Sequence, residues 1–578
     1  MRWPALLCCV LAVTVALPTA VASSPDAVQA SPTAVCPSAT DSSDTQGADS
    51  TGPRIVELYP DPAAHEDAGE FVTVEFSAGT NLSRFALLDE DSPVSLGDRT
   101  NRSHLRERTR ITFSTDPALT DRFTNRTVHS LPDRVQLANG GDDVRLLRDG
   151  TAVQRVSYDS ATEAEVYGVG SGDWRPLCAT DHPIRTARGG SVEAFVLPDE
   201  PTRAVEFLDS ADERIYLAGY TLSSQAVVDA LVAADDRGVA VRVLVDGSPA
   251  GGLSDAAAAA LTELDRSGVD LRLVDGERAR YRFHHPKYAV VDGRALVTTE
   301  NWKPSGLGGR SSRGWAVITD QQRIVDGLVQ TFRSDTGWID ATVWSPPSHS
   351  SSETEPPSER YPAEFETRSF AVERTELLLT PDNAESRLRQ LIENASTSIR
   401  LKQVSIGDES FPLLQAVLDA ARRGVEVEIL LSGAWYVEEE NERLRRSLTE
   451  RAAAENLPVE IRVADPGERY EKIHAKGLIV DGDTTVVGSI NWNNNSLQNN
   501  REAALLIESD GVASYFGRVF AADWEAAAST ESPRAVPVGL IIAVCFAVVL
   551  AGLGLRTLTF ESRSKRSQSS LEDQSVRT

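Results

Sequence analysis

The chain contains two copies of one arrangement of polar residues, in which a histidine is followed by a lysine two positions later and by an aspartate five positions after that. The next apolar run after each aspartate ends in a hydroxylic residue and an asparagine. The residues are His285, Lys287, Asp292, Thr299 and Asn301 in the first copy and His474, Lys476, Asp481, Ser489 and Asn491 in the second. Residues two apart on a strand point to the same face. An imidazole, an ammonium and an amide directed at one point, twice over, predict a metal-free pocket for a phosphodiester.

The repetition of this arrangement favours a functional role for its residues. A single His-x-Lys pair is common and usually lies on a solvated strand edge. Here the two pairs keep nearly the same offset from a repeated helix and strand: His285 lies 47 residues after Gly238, and His474 lies 50 residues after Gly424. The matching offsets favour a functional interpretation.

Each run from the histidine through the lysine to the aspartate is called a histidine string. The segments around the two histidine strings predict one α/β unit used twice. In each unit an apolar strand, an amphipathic helix, a glycine and a second apolar strand precede the histidine, and such alternation is typical of a layered α/β fold. We expect the units to span residues 186–340 and 361–530. A Pro/Ser-rich linker at 345–360 separates them. The predicted fold class is therefore two duplicated α/β layered units that form one pseudo-twofold catalytic domain.

The strings resemble the signature of the phospholipase D superfamily, and the resemblance spans about 186–530, with the second copy nearly complete. It implies that one histidine attacks phosphorus while the other protonates the leaving oxygen. By analogy we assign the attack to His285 and the protonation to His474, although approximate symmetry permits the reverse. Lysines and asparagines would hold the non-bridging oxygens, with hydroxyl donors added by Thr299 and Ser489. The lysines and asparagines are Lys287, Lys476, Asn301 and Asn491.

The first copy departs from the family pattern in its supporting residues. The family places a carboxylate that orients a histidine at the position of Glu502, but the matching stretch of the first copy reads Ser-Arg-Gly at 312–314. Glu300 is a candidate substitute. Asp292 and Asp481 are expected to support turns more than to catalyse directly. Neither cofactor nor metal is expected.

Residues 52–160 show short alternating strands separated by Gly/Asp turns, which is typical of a β-sandwich. The run from Val135 to Leu146 resembles the lamin-tail domain, an immunoglobulin-like sandwich often joined to secreted nucleases. Residues 23–51 lack any periodicity and are interpreted as a disordered leader.

The two ends of the chain predict a protein of the cell surface. Residues 1–22 have the pattern of a signal peptide. Residues 535–555 are uncharged and apolar, long enough for a transmembrane helix, and a basic cytoplasmic tail at 556–578 follows. The large N-terminal portion would then face outward.

The composition is strongly acidic, with a net charge of −27 and only six lysines against 52 arginines. This pattern resembles proteins of extreme halophiles, and it does not favour sequence-blind binding of nucleic acid. Of the cysteines expected in an oxidising compartment, Cys36 and Cys178 could form a disulfide.

Three functions fit the sequence. The favoured one is a phosphodiesterase or phosphatidyltransferase acting on phospholipid head groups near the membrane. The second is a metal-independent extracellular nuclease of the same superfamily, and the third is a non-enzymatic adhesion protein. The substrate is thus a phospholipid or nucleic-acid phosphodiester, and no obligate protein partner is predicted.

Overall fold

The computed structural model describes residues 52–530 apart from 63–67, 90–92, 98–103, 122, 125, 132–134, 171, 276–278, 308–310, 339, 347–360 and 465–468. The predicted signal peptide, leader, transmembrane helix and tail, and most of the linker, lie outside the described residues. Within the described residues, no helix combines the length and the apolar character that a membrane crossing requires. Cys178 is disulfide-bonded, whereas Cys36 lies outside the described part of the chain.

Short strands dominate the N-terminal region. Its elements are β1 (Arg54–Tyr59), β2 (Phe71–Phe76), β3 (Phe85–Leu88), β4 (Val94–Ser95), β5 (Thr109–Ser114), α1 (Pro117–Thr120), β6 (Thr127–Ser130), β7 (Asp142–Arg148), β8 (Thr151–Tyr158), β9 (Glu165–Gly168) and β10 (Asp173–Pro176). They form two sheets with the strand orders β10-β9-β1-β2-β5-β6 and β4-β3-β7-β8. Apolar side chains of both sheets, such as Val74, Phe113 and Leu146, share one core. The immunoglobulin-like arrangement and the lamin-tail relationship stay predictions.

The alternating apolar residues at 135–137, within the region predicted as short strands, do not form a strand. Val135 and Leu137 are buried, but the backbone N–H groups here bond to carboxylates instead of to a neighbouring strand. The N–H of Gln136 donates to Asp89 Oδ2 at 3.2 Å, and that of Leu137 donates to Glu70 Oε2 at 3.3 Å. The alternating pattern therefore belongs to an extended segment held by side chains.

The rest of the described chain alternates strands and helices. The first part contains β11 (Arg185–Arg188), β12 (Ser191–Leu197), α2 (Arg203–Asp209), β13 (Arg214–Gly219), α3 (Gln225–Asp236), β14 (Ala240–Asp246), α4 (Asp255–Ser267), β15 (Asp270–Val274), β16 (Tyr288–Val291), β17 (Arg294–Thr298), β18 (Ser312–Thr319), α5 (Gln322–Thr336) and β19 (Ala341–Val343). The second part contains β20 (Arg368–Ala371), β21 (Arg374–Thr380), α6 (Ala384–Glu393), β22 (Ser398–Gln403), α7 (Pro412–Arg422), β23 (Glu426–Ser432), α8 (Glu438–Glu455), β24 (Val459–Ala464), β25 (Lys472–Ile473), β26 (Gly477–Val480), β27 (Thr484–Gly488), β28 (Glu502–Glu508) and α9 (Asp510–Thr530).

The two parts build sheets with the same strand order. One sheet contains the path β12-β18-β17-β16-β13-β14-β15, and the other contains β21-β28-β27-β26-β22-β23-β24. In both, the last three strands of the path are parallel and the pairings before them are antiparallel. The fold of this region is mixed α/β.

Glycines end the helices that lead into the second parallel strand of each sheet. Gly238 follows α3 with φ +90°, and Gly424 follows α7 with φ +97°. This left-handed conformation carries little steric cost only for glycine. The chain then turns directly into β14 and β23.

The two sheets face each other across one apolar layer. Helices α2, α3 and α4 cover the outer face of the first sheet, and α6, α7 and α8 cover that of the second. Helices α5 and α9 pack between the sheets. Trp315 of β18 stacks on Phe516 of α9 with ring centroids 4.5 Å apart. A side chain at Gly477, at the start of β26, would collide with Trp315, so this glycine permits the close approach of the sheets.

The first part (residues 185–343) and the second part (residues 368–530) are called the first and second halves. Two fully buried arginines connect these halves. Arg501 donates to Asp382 of its own half at 2.6 Å and pairs with Asp335 of α5 at 3.1 Å. Arg313 pairs with Asp199 of its own half and with Asp523 of α9, the latter at 3.1 Å. Each arginine thus bridges its own half to a helix of the other.

The buried arginine pairing predicts a large loss of stability on truncation. Arg501→Met should lower the free energy of unfolding by about 3–5 kcal/mol, because Asp335 and Asp382 would stay buried without their cation. Urea unfolding followed by circular dichroism measures the change. The control is Arg443→Ala, which removes only an exposed pair with Glu439. Equal unfolding midpoints for the two variants would contradict the bridging role.

Candidate active site

Each histidine lies on a segment that attaches to the opposite half of the molecule. Strand β25 pairs in parallel with β18, and the residue before His285 bridges to Arg501. The N–H of His285 donates to the carbonyl of Arg501 at 2.9 Å, and the N–H of His474 donates to the carbonyl of Arg313 at 3.0 Å. The two strings are thereby brought to the same seam between the sheets.

His285 is held by a carboxylate of the second half. Its Nδ1 lies 2.8 Å and 3.0 Å from the two oxygens of Glu502, which is fully buried. Glu502 is itself fixed by the amide of Asn500, at 3.2 Å, and by the hydroxyl of Ser496. A carboxylate at Nδ1 favours the tautomer with the proton on that nitrogen. Nε2 is then the unprotonated nitrogen of His285.

His474 is held by a carboxylate of the first half. Its Nδ1 lies 3.3 Å from Glu300 Oε2, and Glu300 is 1% exposed. The arrangement mirrors that of His285, so each histidine is oriented by the other half. Both histidines therefore require the two halves to be docked.

The two carboxylates occupy different positions in the two sheets. Gly314 pairs with Leu197, the last residue of β12, and Glu502 pairs with Thr380, the last residue of β21. Because β12 and β21 hold the same place in the two sheets, Gly314 and Glu502 are at equivalent positions. The first sheet thus has a glycine where the second has its carboxylate. A side chain at Gly314 would overlap the carboxylate of Glu300. Glu300 therefore fills, from the neighbouring strand end, the space that a glutamate at position 314 would take.

The two string lysines lie beside the histidines in buried positions. Lys287 is 0% exposed and its Nζ donates to the carbonyl of His285 at 2.7 Å. Lys476 is 3% exposed, and its Nζ donates to the carbonyl of His474 at 2.8 Å and lies 3.4 Å from the Nδ1 of that ring. Burial lowers the pKa of Lys287 well below its usual value and that of Lys476 to about 8, while the two site carboxylates oppose this shift.

Both imidazoles of the site are neutral at neutral pH. Burial lowers the pKa of His285 and that of His474 to about 4, and the charges of Lys287 and Lys476 act in the same direction. Burial by itself would raise the pKa of Glu502, but its interactions with His285 and Lys287 outweigh burial and keep that pKa below its usual value. In the site, the lysine charges oppose protonation of the imidazoles and the two carboxylates favour it. A bound anion would raise the pKa of a nearby histidine, because its negative charge stabilises the protonated imidazole.

Asp292 and Asp481 lie in turns away from the histidine rings. Both have positive φ, at 51° and 53°. Asp292 accepts backbone N–H bonds at 2.8–2.9 Å from residues 212–214, where β13 begins. Asp481 accepts them at 2.7–3.1 Å from residues 396–398, where β22 begins. Each aspartate joins the hairpin after a histidine string to the sheet's first parallel strand.

Thr299 and Ser489 lie at the strand ends beside the site, and their role as donors to a phosphate stays a prediction. Both are fully buried, and their hydroxyls take part in strand pairing. Thr299 Oγ1 accepts from the N–H of Trp315 at 3.0 Å, and Ser489 Oγ accepts from the N–H of Ala503 at 3.0 Å. They fix the strand ends that precede Glu300 and Asn491.

The asparagines differ from these hydroxyls in remaining partly exposed. Among the described residues, Asn301 Oδ1 has no hydrogen-bond partner. The N–H of Asn491 donates to Ser496 Oγ at 3.0 Å, so Asn491 is tied to the same serine that holds Glu502. These positions are compatible with side-chain amides that bind a ligand.

Sequence reasoning missed two residues of the first half. The ring of Tyr220 lies edge-on to that of His285 with centroids 4.5 Å apart. Asp246 accepts the N–H of His284 at 2.6 Å, and burial raises its pKa to about 7. Both residues lie at the carboxyl ends of parallel strands, where α/β sheets place their ligands. Their positions at the ends of apolar strands were the signal by which the sequence could have identified them.

Comparison with known proteins shows what the two histidine-bearing segments are similar to. The family described as "Cardiolipin synthase, PLD-like domain" matches residues 204–336 and 388–524, the segments that carry the two histidine strings. Each matched segment is therefore similar to a phospholipase D-like domain. The resemblance predicted from the sequence agrees with this match over the two matched segments.

Individual relatives agree with the family match. Cardiolipin synthase B of Salmonella typhi is 27% identical over 324 residues, which cover 52% of this chain and 72% of the relative. Cardiolipin synthase B of Escherichia coli K12 is 26% identical over 327 residues, or 53% and 73%. Among solved structures, phosphatidylserine synthase of Haemophilus influenzae Rd KW20 is 17% identical, covers 58% of this chain and 84% of that chain, and has a TM-score of 0.42.

The relocated carboxylate predicts a rescue experiment. Glu300→Ile should lower kcat by roughly 10²–10⁴-fold, since His474 would lose the group that sets its tautomer and its proton affinity. The double variant Glu300→Ile/Gly314→Glu should recover much of the loss, because the glutamate enters the vacated space. Steady-state kinetics with bis(p-nitrophenyl) phosphate measures both. A double variant no better than Glu300→Ile, with an intact fold by circular dichroism, would contradict the exchange of positions.

The charge balance predicts that an anion changes the histidine titrations. In the free protein both imidazoles should stay neutral down to about pH 4. Inorganic phosphate should raise the pKa of at least one of them, because it offsets the lysine charges that oppose protonation. Nitrogen-15 NMR of histidine-labelled protein follows the titrations, with His285→Gln and His474→Gln used to assign the signals. Titration curves that phosphate leaves unchanged would refute the balance.

Proposed function

We propose that this protein is a phosphodiesterase or phosphatidyltransferase that acts on phospholipid head groups through a phosphohistidine intermediate. The observation that carries the proposal is the pair of histidines, each oriented by a carboxylate of the opposite half, beside two buried lysines. This set of groups supplies a nucleophile, an acid and positive charge within one seam.

The first chemical step uses His285 as the nucleophile. Its Nε2 forms a bond to phosphorus while the bond from phosphorus to the leaving oxygen breaks, and that oxygen takes a proton from His474. The shorter distance from His285 to its carboxylate, 2.8 Å against 3.3 Å for His474, supports this order. A nearer carboxylate stabilises the positive charge that the attacking ring acquires.

The second step reverses the proton transfer. Water, or the hydroxyl of another lipid, gives a proton to His474 and bonds to phosphorus, and the bond from phosphorus to His285 Nε2 breaks. Lys287 and Lys476 would stabilise the charge on the non-bridging oxygens in both steps, together with the amides of Asn301 and Asn491. The site then returns to its starting protonation.

The substrate class is supported by two observations. The curated relatives named above are cardiolipin synthases, and the chain's net charge of −27 opposes the binding of a polyanion. A nuclease of the same superfamily is the alternative. It would need a basic groove to hold the nucleic-acid backbone.

We propose further that the protein acts outside the cell while anchored to the membrane. The pattern of residues 1–22, the apolar stretch at 535–555 and the basic residues after it support this location. Anchoring would keep the site close to lipid. The acidic composition supports a working environment of high salt.

The deciding assay offers phospholipid and DNA to the same protein. Purified protein in high salt should release or exchange the head group of phosphatidylglycerol carried as a minor component of phosphatidylcholine vesicles, and it should leave DNA intact. EDTA should not affect the reaction, because lysines supply the positive charge in the site. His285→Ala and His474→Ala should each abolish turnover, since the steps act in series. Phosphatidylglycerol cleavage and DNA cleavage are followed by chromatography and electrophoresis.

Two outcomes would overturn the proposal. Activity lost with EDTA and restored by a divalent ion would reject the lysine-based mechanism, and DNA cleavage without lipid turnover would favour the nuclease. The matched control for expression and handling is Arg443→Ala, which changes only an exposed ion pair on α8. It should retain full turnover.

A further inference from the structure

An exposed aromatic pair lies on the rim of the site in the second half. Trp435 is 88% exposed and Tyr436 is 45% exposed, whereas the other described tryptophans of the α/β region are buried. The two rings are in contact, edge to face, with centroids 5.7 Å apart. Exposing a tryptophan to this extent leaves a large apolar surface in water, which is unfavourable unless something covers it.

The pair is displayed on a hydrogen-bonded turn. Residues 433–437 connect β23 to α8, and backbone bonds close the turn: the N–H of Gly433 donates to the carbonyl of Ala464 at 2.7 Å, and those of Val437 and Glu438 donate to that of Ala434 at 2.9 Å. The side chain of Asn441 in α8 donates to the carbonyl of Ser432 at 2.7 Å. The exposure of Trp435 is therefore fixed by the conformation of the turn.

Lys472 connects this turn to the catalytic residues. It lies two positions before His474, and its Nζ is 5.8 Å from the centroid of the Tyr436 ring. Tyr436 is only partly exposed, and this partial burial together with the charges of Glu300 and Glu471 raises its pKa to about 12. Tyr436 thus lies within electrostatic range of the carboxylate that orients His474. Trp435, Tyr436 and Lys472 together are named the rim patch.

The first half has different residues at this place. Counted from the equivalent ends of β14 and β23, Pro249 and Ala250 correspond in sequence to Trp435 and Tyr436. The aromatic pair is therefore not a feature of the repeated unit. It belongs to one side of the seam only, which gives the mouth of the site an apolar edge on the side of His474.

We propose that the rim patch inserts into the interfacial region of a phospholipid bilayer and presents head groups to the site. Tryptophan and tyrosine favour that region, with the ring in the apolar boundary and the polar atoms toward water, and a neighbouring lysine extends its ammonium to the head groups. The inference rests on the proposed function for its choice of a phospholipid substrate. The contact itself follows from the exposed aromatic pair.

Charge near the patch argues for lipid over a single-stranded nucleic acid, whose bases also stack on aromatic rings. Glu438, Glu439 and Glu440 follow the patch directly and are exposed. Three carboxylates at this position repel a polyanion, whereas a zwitterionic lipid surface carries no net charge to be repelled. A surface rich in phosphatidylcholine fits the patch.

Tryptophan fluorescence tests the contact directly. The full-length chain is mixed with phosphatidylcholine vesicles with and without brominated phosphatidylcholine, which quenches tryptophans within the bilayer. We expect quenching in the native protein and its loss in Trp435→Phe. The matched control is Trp174→Phe in β10, where the ring packs on Tyr158 and Tyr167, and it should keep the quenching.

The possible failures are separable. Equal quenching in the native protein and in Trp435→Phe would overturn the inference, as would quenching of Trp435 by a single-stranded oligonucleotide and not by lipid. His285→Ala should keep the quenching, because contact with the bilayer does not require turnover. Lipid turnover without Trp435-dependent quenching would reject the membrane contact of the rim patch but not the proposed function. Trp435-dependent quenching without lipid turnover would reject the proposed function but not the membrane contact.

Discussion

The site depends on an exchange of chain segments between the two halves. The segment bearing each histidine attaches to the backbone of the opposite half, through bonds from His285 to Arg501 and from His474 to Arg313. The same exchange delivers Glu502 to His285 and a glutamate of the first half to His474. Neither half by itself contains an oriented histidine. Buried arginines reinforce the seam because an unpaired charge there would be costly.

Burial and charge together set the protonation of the two histidines. Two lysines and two glutamates are buried beside them, and burial with the lysine charges keeps the imidazoles neutral. A bound phosphodiester monoanion would offset the lysine charges and favour a proton on one imidazole. In the proposed mechanism that imidazole serves as the acid. Substrate binding would thus create the protonation state that the proposed reaction needs.

The halves share a strand order but differ where they meet the substrate. The first half supports its partner's histidine from Glu300 and has a glycine at 314, whereas the second uses Glu502. Tyr220 lies against His285 on one side, and the rim patch flanks His474 on the other. These differences supply the asymmetry that the unequal roles proposed for the two histidines would require.

The sequence by itself determined the residue types, the two strings and the repeated helix, glycine and strand, because these depend on local spacing and backbone preference. Helix α3, strand β14 and the turns at Asp292 and Asp481 follow from such local rules. Only the tertiary structure decided that Thr299 and Ser489 serve strand pairing, and that the carboxylates cross between halves. The contact of His285 with Glu502, 217 positions apart in the chain, depends on how the sheets dock, and no local pattern encodes that.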